Sequence, residues 1–110
     1  MTPKIIQTEE EYKEVIENND SVLIYFGTQS CGVSESMEEK VYGLIEEKFP
    51  KIKFFYVNIN FSPKITATYN AFSEPTVLVY FSGKEYVRKS RHFGLFELEN
   101  AIERIYNIFY

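Results

Sequence analysis

Only one cysteine and one histidine occur among the 110 residues, and the lack of a second of either narrows the chemistry. A single cysteine makes no intrachain disulfide, so the fold must rest on its core rather than on cross-links. No His/Cys/Asp/Glu cluster has metal-ligand spacing, and neither a phosphate-cradling loop nor a Ser-His-Asp arrangement is present. No apolar run approaches the length that spans a bilayer. Met1-Thr2-Pro3-Lys4 leads into acidic residues, not into the basic and then apolar pattern of a secretory leader. Basic residues are also in the minority, 12 against 16 acidic, with a net charge of -4 and no basic stripe. The expectation is a cytoplasmic protein with no cofactor or metal, no membrane association and no nucleic-acid partner.

What is present is apolar side chain, 45% of the chain, enough for a sizeable core at this length. A domain of this size buries roughly two-thirds of the surface its unfolded chain exposes. One domain over residues 1–110 is expected, as a monomer. Thr8-Glu9-Glu10-Glu11 reads as a capping box opening a helix that carries Tyr12, Val15 and Ile16 inward and ends near Asp20. Ser21 to Phe26 is a short, nearly continuous apolar run, the pattern of a central strand covered on both faces. After a loop, Val33, Met37, Val41, Leu44, Ile45 and Phe49 fall at helical spacing up to Pro50. Within this helix Glu35, Glu38, Glu39, Glu46 and Glu47 read as its solvated face.

Ile52 to Ile59 is strand-like, and Ser62-Pro63 predicts a serine cap with proline at the first helical position. Thr76 to Phe81 and Glu85 to Arg91 are two strands joined through Ser82-Gly83-Lys84, an antiparallel hairpin. Leu95, Leu98, Ile102, Ile105 and Phe109 mark a last amphipathic helix, and Lys4-Ile5-Ile6 reads as a short leading strand. The strands joined through helices are expected to run parallel, with the hairpin adding the antiparallel member. The fold class is α/β, a central mixed sheet with a C-terminal hairpin, flanked by helices.

In such sheets ligands gather at the carboxyl ends of the parallel strands. Cys31 falls just past the first long strand, near the first turn of the following helix, where the helix dipole favours a thiolate. Its neighbours Gln29, Ser30, Gly32 and Ser34 are poor core material, which argues against an inert buried thiol.

The stretch Val22 to Ser34 resembles the active-site region of thioredoxins, where a hydrophobic strand and short loop precede Trp-Cys-Gly-Pro-Cys at a helix start. Glu74-Pro75-Thr76 is similar to the family's cis-proline segment, and Gly94 to a groove glycine. The likeness runs from about Ile5 to Ile108 and implies a thioredoxin-like fold. The departures are equally informative. Ser34 replaces the second cysteine, Ser30 the tryptophan and Val33 the proline, while Tyr25 and Tyr56 replace a buried aspartate and its lysine partner.

The resemblance therefore implies half of the dithiol mechanism. Cys31 would attack a protein disulfide or a glutathionylated protein, Ser34 would donate a hydrogen bond to the thiolate or cap the helix, and a second thiol such as glutathione would release the product. The groove would comprise Ser30, Gly32, Val33, Glu74, Pro75, Phe93 and Gly94, and the partners would be protein thiols or disulfides. Glu74 would oppose thiolate formation if it faces the thiol. His92 and Arg91 stand nearby in sequence, His92 reading best as a surface residue. Two further readings stay open. One is a redox-inactive binding module anchored by exposed aromatics such as Phe61, Phe72 or Phe93. The other is a monothiol glutaredoxin-like protein, from the likeness of Cys31-Gly32-Val33-Ser34 to Cys-Gly-Phe-Ser, which would hold glutathione and a bridging iron–sulfur cluster.

Overall fold

A computed structural model of the chain describes residues 4–28 and 35–110. Five strands form one sheet in the order β1-β3-β2-β4-β5. They are β1 (Lys4–Ile5), β2 (Ser21–Gly27), β3 (Lys53–Asn58), β4 (Thr76–Phe81) and β5 (Lys84–Ser90). Four helices flank it: α1 (Glu9–Asn18), α2 (Glu35–Lys48), α3 (Pro63–Thr68) and α4 (Leu95–Phe109).

β2 lies at the centre of the sheet and every one of its residues is buried, as an apolar run covered on both faces requires. Alternation along the strands sends side chains to two cores. On one side Leu23, Tyr25, Tyr56, Val77 and Val79 pack against Val41, Leu44 and Ile45 of α2 and Leu98 and Ile102 of α4. On the other, Val22, Ile24, Phe26, Val57 and Leu78 meet Tyr12 of α1 and Ile65 of α3. The Thr8 capping box forms in full, with Glu11 N–H donating to Thr8 Oγ1 and Thr8 N–H donating to Glu11 Oε1. This fixes the start of α1 and with it the depth of Tyr12, whose hydroxyl lies 2.8 Å from that of Tyr80.

Two expectations are corrected. β4 follows β3 through a helix yet runs antiparallel to β2. α3 is short, and the connection from Asn58 to Thr76 leaves and re-enters the sheet at the carboxyl end of β2 and β3, so Thr76 begins β4 opposite Phe26 and the strand runs back against β2. At α3, Ser62 makes no side-chain cap; Pro63 supplies the helix start, and the Ser62 carbonyl accepts from both the N–H and the hydroxyl of Thr66.

The β4–β5 hairpin turns through Ser82 and Gly83, both at positive φ (54° and 77°). Two left-handed residues match the twist of the flanking strands, and glycine adopts that conformation without strain. Pairing along the hairpin shifts register between Val79 and Tyr80, and β5 forms the outer edge of the sheet.

Candidate functional site

Three chain segments meet at the carboxyl end of β2. The first is the strand end itself, Gly27 and Thr28. Gly27 O accepts from Ile59 N–H at 3.0 Å, which ties the exit of β2 to that of β3. The second is Ser73-Glu74-Pro75, whose Glu74–Pro75 peptide is cis. The third is Arg91, just past β5, whose N–H donates to Pro75 O at 2.9 Å and whose Nε–H donates to Ser73 Oγ at 3.0 Å.

Glu74 draws the first two segments together. Its Oε2 accepts from Thr28 N–H at 2.8 Å and from the Thr28 hydroxyl. The carboxylate is thus turned toward the loop after β2, although the residue stays exposed. Thr76 Oγ1–H donates back to Ser73 O at 2.6 Å, closing the turn that presents Pro75.

Beneath this end lies a pair of phenols. Tyr25 and Tyr56 are register partners on β2 and β3 and face the α2 side of the sheet. Their rings stack, with centroids 6.1 Å apart and planes 16° from parallel. Burial, and after it the nearby carboxylates of Glu38 and Glu74, pushes both phenols well above the usual tyrosine range. The Tyr56 side chain is fully buried, and its hydroxyl has no hydrogen-bond partner among the described residues.

Glu38 is a further correction to the sequence reading. It is 6% exposed, not part of a solvated face, and its charge is felt by both phenols. Its spacing carried the signal: position 38 lies three residues before Val41 and seven before Ile45, on the same stripe of α2. Phe93, expected as an exposed anchor, is buried at 8% exposure, packed in the same core as Val41, Leu44 and Leu98. Phe61 and Phe72 are exposed, at 85% and 68%. Gly94 serves as N-cap of α4 without a side-chain bond, and a Cβ there would meet nothing within 4 Å among the described residues. His92 is exposed. Cys31, Ser34, Ser30, Gly32 and Val33 lie outside the described residues, whereas Glu74, Pro75, Phe93 and Gly94 lie within them. Among the described residues no three His, Cys, Asp or Glu side chains form a metal-binding group, and no helix is long and apolar enough to cross a membrane.

The five-stranded mixed sheet flanked by four helices has the thioredoxin fold. The chain belongs to the thioredoxin family, whose model matches residues 3–104. The thioredoxin-like protein YdfQ of Bacillus subtilis (strain 168) is 23% identical over 87 residues, 79% of this chain and 77% of that protein. Thioredoxin from Porphyra purpurea is 32% identical over 78 residues, 70% of this chain and 73% of the relative. Mitochondrial thioredoxin 3 from Saccharomyces cerevisiae in its oxidized form superposes with a TM-score of 0.74 at 21% identity, covering 96% of this chain and 94% of that one. Thioredoxin from Trypanosoma brucei brucei gives a TM-score of 0.78 at 19% identity, covering 96% and 92%.

Proposed function

We propose that this protein is a monothiol member of the family that exchanges disulfides through Cys31. The supporting observation is that its sole cysteine follows Gly27 by four residues, past the strand end to which Glu74 is hydrogen-bonded, with serine at Ser34 where thioredoxins carry a second cysteine. In this reading the Cys31 thiolate attacks one sulfur of a protein disulfide or a protein–glutathione disulfide. One S–S bond breaks, the leaving sulfur departs as a thiolate, and a mixed disulfide joins Cys31 to the partner. A glutathione thiolate then attacks that mixed disulfide, freeing Cys31 and carrying the partner sulfur into a new disulfide. The two electrons come from glutathione, so a reducing compartment such as the cytosol suits the cycle.

The test is turnover of a glutathionylated peptide with glutathione as reductant. Wild-type protein should turn over, Cys31→Ser should not, and thioredoxin reductase alone should support neither. Failure of the wild-type protein to form a mixed disulfide with excess oxidised glutathione would overturn the reading. That result would favour the binding-module alternative, in which exposed Phe61 and Phe72 are the working surface.

A further inference from the structure

Arg91 is fastened to the turn before β4 at two points. Its N–H donates to Pro75 O at 2.9 Å, and its Nε–H donates to Ser73 Oγ at 3.0 Å. The backbone there is left-handed, with φ at 60°, a conformation that few residues other than glycine adopt. Such backbone is held only where its surroundings enforce it, and ligand clamps are among those places. The two Nη nitrogens of Arg91 make no hydrogen bond or ion pair among the described residues. The carboxylates of the turn, of β5 and of the first turn of α4 are engaged elsewhere. Glu74 Oε2 accepts from Thr28, Glu85 pairs with Arg88 at 2.8 Å, and Glu97 pairs with Lys89 at 2.8 Å. Arg91 therefore presents a planar fork of donors whose direction is already set, unlike the ammonium of a free surface lysine. Phe72, one residue before Ser73, is exposed and makes no ring contact among the described residues.

We propose that Arg91 and Phe72 form a docking rim for an extended acidic segment of a partner protein. Arg91 takes a glutamate or aspartate carboxylate on its Nη atoms, and Phe72 takes an adjoining apolar side chain. A guanidinium fork matches the two oxygens of a carboxylate, so the contact selects carboxylate over amide. The exposed ring adds apolar area beside the charge, which favours a peptide over a small free acid. The assignment does not rest on the thiol exchange proposed above. It fixes the chemistry of the partner, whether that partner is a substrate or is only bound.

The experiment is a magnetic-resonance titration of the isotope-labelled full chain with blocked pentapeptides of alanine and valine whose central residue is glutamate, glutamine or lysine. The glutamate peptide should bind about fivefold more tightly than the glutamine peptide, and the lysine peptide more weakly still. The largest shifts should fall on the Arg91 Nε–H and on the Ser73 and Glu74 amides. Arg91→Gln should erase the preference for glutamate. Lys84→Gln, an equal change of charge at the opposite end of β5, should leave it intact. Phe72→Ala should weaken all three peptides alike. Should Arg91→Gln fail to fold, the peptide comparison on the wild type still decides. Equal affinity for the glutamate and glutamine peptides overturns the proposal, as does a preference that survives Arg91→Gln. S-methylglutathione, a small acid, is the last arm, and tighter binding of it than of the glutamate peptide overturns the choice of a peptide. None of these ligands carries a thiol or a disulfide. The monothiol reading fails on a different result, the absence of a mixed disulfide, which leaves the peptide comparison untouched.

Discussion

The ring of Tyr25 lies against Gly27, two residues further along the same strand, so closely that a Cβ at Gly27 would stand 2.9 Å from Tyr25 Cε1. Both residues are buried, and the ring is held from its other side by stacking on Tyr56 and by Phe54, 6.3 Å between centroids. The exit of β2 therefore needs a residue without a side chain because the Tyr25 ring fills the space, not because of any unusual backbone angle.

Gly27→Ala should destabilise the protein by about 1–3 kcal/mol, the cost of forcing an extra carbon into a packed core. Urea unfolding measures it. The same substitution made in a Tyr25→Val background should cost much less, because the clashing ring is gone. Equal costs in the two backgrounds would show that Tyr25 is not the constraint.

The Tyr12–Tyr80 hydroxyl pair predicts a strongly non-additive cycle. Tyr12→Phe or Tyr80→Phe alone removes the partner of a buried hydroxyl and should cost about 1–3 kcal/mol. The double variant should lose little more than either single one, since neither hydroxyl is then left behind. Denaturant melts of the four proteins give the coupling energy directly.

Alkaline pH should unfold this protein earlier than a protein with surface tyrosines. Burial, ahead of all other causes, raises Tyr12, Tyr25 and Tyr56, and pushes Tyr80 up to about 12. An unfolded tyrosine ionises near pH 10. These phenols release protons more readily in the unfolded chain, so their contribution is intact below about pH 10 and is lost as pH climbs toward 12 and beyond. Phenolate absorbance followed alongside circular dichroism checks this: the late-titrating tyrosines should ionise together with loss of structure.

Much of the fold is legible in the sequence because the signals are local. The apolar runs of β2 and β4, the Thr8–Glu11 box and the stripe of α4 each announce themselves within a dozen residues. The direction of β4 is not local. It depends on which end of the sheet the connection through α3 re-enters, a relation between elements and not a composition. Glu38 reads as solvated because a charged residue on a helix ordinarily is, and only its register with Val41 and Ile45 reveals the inward face. Phe93 reads as a groove residue because it stands beside Gly94, yet proximity in sequence does not say which way a ring turns at a helix entrance. Of the site, Glu74 and Pro75 can be named from their order before β4. The Tyr56 hydroxyl, without a partner among the described residues, cannot, since an orphan donor is defined by what fails to surround it.

The edge formed by β5 has a bearing on how copies of this protein behave when crowded. Six of its seven residues are exposed or half-exposed, and Lys84, Glu85, Arg88 and Lys89 place charge along it. Arg88 is committed to Glu85 and to the Tyr69 and Asn70 carbonyls, and the register shift between Val79 and Tyr80 twists the ribbon. An incoming strand would have to strip these charges of water and follow an irregular template. The molecule is thereby guarded against fibril growth at β5, the longer of the two open edges.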